Sequence, residues 1–409
     1  MQTIDKLKNL KRLSACLALL LLISACAQSP SYQKPQAPQQ SQQAQTLGAS
    51  PMPENLPPVK VAMLLPLSGN HAHLGQSMLN AAQIALFDLG YDNFQLLPKD
   101  TGGTPTGAEK AAKEAVSQGA QLILGPLFSP SVRAAAPIAA QARINMISFS
   151  TDWTLAGGNI FVMGFLPFDQ VNRIAAYTAR QNIKDVGVIA ADDNYGRAVS
   201  SAFISTAPRY GLHITKTKTF PPQSKNLAPD VKDFSQNQIN PNTPPFEAVF
   251  MPVGGQQAGA IANLLSHNNL PPRSVKRLST GIMDDPALTS DPNLQGAWFA
   301  APDPKARIRF EQNYRQTYGQ TPPRIATLAY DSLALTATLA RQGFQQTGHP
   351  AFDRGALTNP DGFYGIDGLF RFHPDGKAER GLAILEIRGR NIVTIDEAPT
   401  SFTAPPSAR

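Results

Sequence analysis

At 409 residues and 42% apolar content, the chain is long enough for two lobes with sizeable cores. Of its formal charge of +7, the first 25 residues hold +3 (Lys6, Lys8, Lys11 and Arg12 against Asp5), and the +4 on the rest does not point to nucleic acid. The two cysteines, Cys16 and Cys26, lie near the N-terminus, so nothing beyond Cys26 can form a disulfide or a cysteine metal site, and the fold must stand on packing alone.

Residues 1–25 have a basic start and an apolar run, Leu17 to Ile23, followed by Ser24-Ala25-Cys26, the order of a secretory signal. Residues 26–58 follow. From Ala27 to Pro58 there are eight glutamines and seven prolines with almost no large apolar residues, which predicts an extended tether. At about 3.1 Å per residue in polyproline geometry, some thirty residues reach on the order of 90 Å.

From Val59 onward, short apolar runs alternate with helical patterns, as parallel βαβ units do. Val59 to Leu65 predicts a strand buried on both faces, and the spacing of Leu74, Met78, Ala81, Ala82, Ala85 and Leu86 predicts a helix ending at Gly90. Between them runs the loop Pro66–Gly75, with Ser68 in it, at the carboxyl end of the strand, where open α/β sheets place their ligand crevices. Further strands are expected at 94–97, 122–124, 145–149 and 159–165, with helices at 108–118 and 129–142. A second series runs through a helix at 171–181, a strand at 186–191 ending in Asp192-Asp-Asn-Tyr-Gly, a helix at 197–207 and strands at 213–219 and 248–253. A helix at 256–267 closes it. Trp298 to Pro304 reads as a strand leading out of one lobe, 308–318 and 325–342 as helices, and 364–373 with 382–388 as a hairpin around Pro374-Asp-Gly-Lys.

Taken in order, Pro66-Leu-Ser-Gly with Gly75-Gln, Gly125-Pro-Leu-Phe-Ser with Ala136-Pro, Ile147-Ser-Phe-Ser, Asp193-Asn-Tyr-Gly and Ala329-Tyr-Asp-Ser resemble the type I periplasmic binding-protein fold of the leucine/isoleucine/valine binder. The resemblance covers about 340 residues. It implies an α/β protein of two lobes, each a parallel sheet flanked by helices, with three inter-lobe crossings: near Gly164 to Phe168, near Trp298 to Pro304, and between Gln342 and Gly365. The expected partition is 59–165 with 297–345 in lobe 1, 166–296 with 346–397 in lobe 2, and a tail at 398–409.

Within that group the chain is similar to the penicillin-binding-protein activator lipoproteins. The likeness is carried by Phe149-Ser-Thr-Asp, Gly164-Phe-Leu-Pro with Gln170-Val-Asn-Arg, and Gly365-Ile-Asp-Gly-Leu-Phe-Arg-Phe through Glu379-Arg-Gly-Leu. Ala25-Cys26 resembles a lipobox, which implies lipidation at Cys26. Ala27 and Gln28 follow without the inner-membrane aspartate, which implies the periplasmic face of the outer membrane. The family implies a murein synthase, a penicillin-binding protein, as partner. The founding enterobacterial members carry a helical-repeat domain ahead of the binding-protein domain; here the tether occupies that place.

In amino-acid binders of this fold, a serine after the Gly-Pro turn and polar groups after the Ile-Ser strand hold the ligand carboxylate, and an aromatic covers it. These roles fall on Ser129, on Ser150 with Thr151, and on Tyr195. The next position is Asp152, whose carboxylate would face that of a ligand and oppose its capture unless one were protonated or paired. Turn, cap and packing roles for Ser68, Ser129 and Tyr195 stand beside the ligand roles.

His71 and His73 have no Asp, Glu or Cys near them in sequence, so no metal is expected. No cofactor is expected either, and no readable motif supports an enzyme. Two functions remain: a lipid-anchored regulator of a peptidoglycan synthase, or a solute receptor serving a transporter with a small molecule in its cleft.

Overall fold

The computed structural model describes residues 44–47, 57–90, 93–237, 240 and 243–402, so the signal segment and Cys26 lie outside the described residues. Its first strand, β1 (Gln45–Thr46), falls inside the expected free tether. It is instead an edge strand: Gln45 N donates to Gly362 O at 3.1 Å, Leu47 N to Tyr364 O at 3.0 Å, and Leu47 packs on the first core.

Lobe 1 is built on β2 (Val59–Leu65), which is buried at all but one position, as the apolar run requires. Helix α1 (Ala72–Leu89) follows and ends at Gly90, whose φ of 54° is the left-handed conformation that glycine adopts without a Cβ clash. Then come β3 (Phe94–Asp100), α2 (Pro105–Ser117), β4 (Leu122–Leu124), α3 (Ser129–Gln141), β5 (Met146–Ser148) and β6 (Ile160–Val162). The five strands lie in the order β3-β2-β4-β5-β6, all parallel. Alanine stripes on α2 and α3 cover one sheet face.

Lobe 2 starts with α4 (Pro167–Arg180) and continues through β7 (Asp185–Ala191), α5 (Asn194–Thr206), β8 (His213–Phe220), α6 (Ala228–Ser235), β9 (Ala248–Phe250), α7 (Gly255–His267), β10 (Lys276–Thr280) and β11 (Trp298–Ala301). β10 has no counterpart in the sequence reading. It is a core strand with Arg277, Ser279 and Thr280 buried in it, so it carries no apolar signal. The Arg277 guanidinium is tied off by backbone carbonyls, among them Leu270 O at 2.6 Å.

Two stretches differ from the expected partition. β11 was assigned to lobe 1, but it pairs in parallel with β10, Leu278 opposite Trp298, and so belongs to the sheet of lobe 2. The chain then crosses at Pro302-Asp303, where the Asp303 carboxylate caps α8 (Pro304–Tyr318) through Lys305 N at 2.8 Å. Helix α9 (Ala326–Thr347) is buried along most of its length against α1 on the second face of the lobe 1 sheet.

The third crossing also moves. After α10 (Arg354–Leu357), β12 (Phe363–Gly365), β13 (Gly368–Phe372) and β14 (Ala378–Arg380) form a small antiparallel sheet with β1 at its edge. Phe363, Phe370 and Phe372 join the lobe 1 core, each contributing about 1.5–3 kcal/mol by burial. Residues 354–380 therefore belong with lobe 1, and the passage lies at Gly381-Leu382, not between Gln342 and Gly365. The turn at Pro374-Asp-Gly-Lys joins β13 to β14. Beyond it, β15 (Ala383–Arg388) and β16 (Asn391–Asp396) return antiparallel to the sheet of lobe 2, ordered β16-β15-β11-β10-β9-β7-β8. Among the described residues, no helix is long and apolar enough to cross a membrane.

Candidate functional site

The cleft between the lobes is walled by the loops leaving the parallel strands, and glycines keep those loops tight. A Cβ on Gly75, Gly107 or Gly196, each in the first turn of its helix, would lie 2.2, 2.1 or 2.0 Å from the carbonyl oxygen of Pro66, Thr101 or Ala191. The glycines in Gly75-Gln and Asp193-Asn-Tyr-Gly thus mark helices pressed against the strand before them.

The candidate residues fall into three separate groups. Ser68 is exposed in a turn organised by Asp100, whose Oδ1 accepts from Leu67 N at 2.9 Å, Ser68 N at 3.1 Å and Gly102 N at 2.8 Å. Burial pushes the Asp100 carboxyl upward, but the Ser68 hydroxyl and these amides outweigh it and hold it below its ordinary value.

Ser129, Ser150 and Asp152 form the second group. Ser129 Oγ and Ser150 Oγ lie 3.1 Å apart, and Ser150 Oγ accepts from Asp152 N at 3.1 Å. Asp152 turns away from the role of a repelling carboxylate: Oδ2 accepts from Arg133 Nη2 at 2.9 Å, and Oδ1 accepts from Thr154 N at 3.1 Å and Thr154 Oγ1 at 2.6 Å. Burial works to raise its pKa, yet Thr154 and Arg133 together lower it. Thr151 is exposed beside this cluster.

Tyr195 stands alone in lobe 2. Its hydroxyl is 2.7 Å from Thr280 Oγ1, and burial pushes the phenol up to about 12, so it stays protonated. His71 is exposed and rests its ring on Phe128, with centroids 4.8 Å apart, and His73 is exposed. Among the described residues, no three His, Cys, Asp or Glu come together as a metal site.

Tyr195 also lines a cavity of about 210 Å³ at the base of the cleft. The first two crossings supply Phe165 and Ala301-Pro302; lobe 2 supplies Gln170, Gly281, Ile282 and Asp284; and Arg324, between α8 and α9, closes it from lobe 1. None of these except Tyr195 was a candidate from sequence. Asp284 takes both of its oxygens to Arg307 Nη2 at 3.0 Å, and Arg324 Nε stands 3.6 Å from it. Arg307 is on α8, so a buried carboxylate of lobe 2 sits between two guanidinium groups of the lobe 1 side. A second tie is Asp169 on α4, which accepts from Arg380 N at 2.9 Å. Burial raises its carboxyl to about 6 against the pull of that amide. Both ties join residues more than twenty positions apart with no periodicity, so no local pattern announces them.

The chain matches the periplasmic binding protein family over residues 58–391, and it belongs to that family. Among solved structures it is similar to a Rhodospirillum rubrum protein named for branched-chain amino acid ABC transport, at 18% identity and a TM-score of 0.72 over 83% of this chain and 100% of that one. LivJ of Streptococcus pneumoniae, in complex with isoleucine, matches at 19% identity and a TM-score of 0.60, over 84% and 100%. A solute-binding protein of R. palustris in complex with benzoate matches at 16% identity and 0.60, over 85% and 98%. These likenesses show the two-lobed fold. An uncharacterized protein of Rickettsia prowazekii (strain Madrid E) is 22% identical over 179 residues, 44% of this chain and 48% of that protein, so the match spans about half of the relative's length.

Proposed function

We propose that the chain is a solute-binding receptor of the cell envelope, which captures a small molecule at the base of its cleft and serves a transporter. The observation that supports it is the cavity of about 210 Å³ whose wall comes from both lobes and from the crossings between them. The isoleucine- and benzoate-bound relatives of the same fold lend it weight. Its test is a thermal-shift screen of small solutes against the full chain. A solute at a hundredfold over its Kd adds roughly 2.7 kcal/mol of stability. The gain should vanish in Ile282→Trp, which fills the cavity from a residue already 42% exposed. A screen in which no solute class stabilises the chain sinks this reading.

A second reading, activation of a murein synthase, is favoured by the Asp284–Arg307 pair. The chain itself supplies an inter-lobe contact of the kind that a captured solute otherwise provides, which leaves the outer surface to do the work. Pull-down with the lipidated full chain tests it: a penicillin-binding protein recovered equally by wild type and Ile282→Trp supports it, and recovery of none removes it.

In either case we place the chain on the periplasmic face of the outer membrane through a lipid on Cys26. Cys26→Ser should release it from the membrane fraction, whereas Cys16→Ser should leave it there. A Cys26→Ser variant that still sediments with outer membrane contradicts the anchor.

A further inference from the structure

Each polar side chain in the cavity wall already has a partner within the chain. Gln170 Oε1 accepts from Gly281 N at 2.7 Å while its Nε2 donates to Leu166 O at 3.0 Å. Asp284 is held bidentately by Arg307 at 3.0 Å. Arg324 donates Nη2 to Asp367 Oδ1 at 2.8 Å and Nη1 to Thr327 Oγ1 at 2.9 Å, and its plane lies over Phe165, 4.3 Å from the ring centroid. The Tyr195 hydroxyl bonds Thr280 and, being both donor and acceptor, keeps capacity for a further hydrogen bond. The other side chains of the wall are apolar: Phe165, Ile282, Ala301 and Pro302.

We infer that the cavity takes a small uncharged molecule with an apolar body and at most one hydroxyl or carbonyl group, and that it rejects carboxylates, ammonium ions and zwitterions. The inference rests on the proposed reading of this cavity as the ligand site and names the class of ligand. A carboxylate entering here gives up its water, and Arg324 in the wall already holds Asp367 while Arg307 holds Asp284. An ammonium ion meets the same obstacle, since Asp284 is taken by the arginines. Gaining either charge as a partner means breaking the buried pair that joins the lobes. An uncharged ligand breaks nothing. In size, an apolar cavity of about 150 Å³ accommodates benzene, so about 210 Å³ suits a six-membered ring with a short substituent. This class differs from the isoleucine and benzoate found in the similar structures.

The test is a set of near-isosteric probes on the full chain: benzyl alcohol and benzamide, uncharged; benzoate, an anion; benzylamine, a cation; and leucine, a zwitterion. Affinities are read by titration calorimetry and by the shift in melting temperature. Benzyl alcohol or benzamide should bind at least tenfold more tightly than benzoate, benzylamine and leucine, with Tyr195→Phe weakening the benzyl alcohol complex and Ile282→Trp abolishing it. Tighter binding of benzoate, benzylamine or leucine, lost in Ile282→Trp, overturns the inference and leaves the cavity standing as the ligand site. Binding that survives Ile282→Trp overturns it too, by putting the ligand elsewhere. No binding by any of the five overturns it as well, and the wider solute screen then decides whether the cavity reading falls with it.

Discussion

Asp284→Ala is expected to separate the lobes, seen as a larger radius of gyration in solution scattering, and to cost about 3 kcal/mol in urea unfolding. The carboxylate is 3% exposed and the Arg307 side chain 11%, so this is a buried pair that bridges two lobes. Removing one partner of such a pair typically costs about 3–5 kcal/mol, because the remaining charge stays buried without compensation. The lower end applies here, since Arg307 keeps Glu311 at 3.0 Å and Arg324 keeps Asp367. Replacing both partners with apolar groups of similar shape, Asp284→Leu with Arg307→Met, should recover much of the stability, because no charge is then stranded. If the single variant scatters and unfolds as wild type does, the pair is not what joins the lobes.

The same pair marks the limit of what the chain's linear order discloses. The strand at Val59 to Leu65 and the helix ending at Gly90 were legible because burial on both faces and a 3.6-residue apolar period leave a local trace. β10 was not, because a core strand can be built from Arg277, Ser279 and Thr280 when carbonyls take up the first two and the Tyr195 hydroxyl meets the third. The third crossing was misplaced for a related reason. Two antiparallel hairpins follow one another, and the break at Gly381-Leu382, where one leaves the phenylalanine core of lobe 1 and the next joins β11, has no composition of its own. The cleft shows the same division. Ser129 and Ser150 were named through the resemblance to amino-acid binders, and their hydroxyls lie 3.1 Å apart. That Asp152 is neutralised by Arg133, nineteen positions away, or that Asp284 meets Arg307 and Arg324, comes only from the packing of the lobes.

Two motifs far apart in the chain, Ala329-Tyr-Asp-Ser and Gly365-Ile-Asp-Gly, turn out to be halves of one structure, and the expected effect of cutting between them is large. Asp331 is fully buried on α9, where Oδ1 accepts from Ile366 N at 2.7 Å and Oδ2 from Asp367 N at 3.2 Å, so it caps the turn between β12 and β13. Gly365 makes room for it, since a Cβ there would lie 2.5 Å from the carboxylate. Burial and the negative charge of Asp367 raise the Asp331 carboxyl well above its ordinary value. Burial presses Asp367 the same way, but Arg324 and Arg380 outweigh it and keep that group ionised. Asp331→Ala leaves two backbone donors unpaired at about 1–3 kcal/mol each, and a total loss of about 2–6 kcal/mol is expected. Asp331→Asn keeps an acceptor for Ile366 N and should cost far less. The pH dependence separates the two effects. An unfolded Asp331 releases its proton at about pH 4, whereas the folded group holds its proton to higher pH, so through that interval stability falls as pH rises. Asp331→Asn should abolish that part of the slope and equal or exceed wild type on its alkaline side. Urea titrations of the three proteins from pH 4 to pH 8 decide the matter, and an asparagine variant as unstable as alanine, with the wild-type slope intact, would show that the carboxylate is not the group holding the turn.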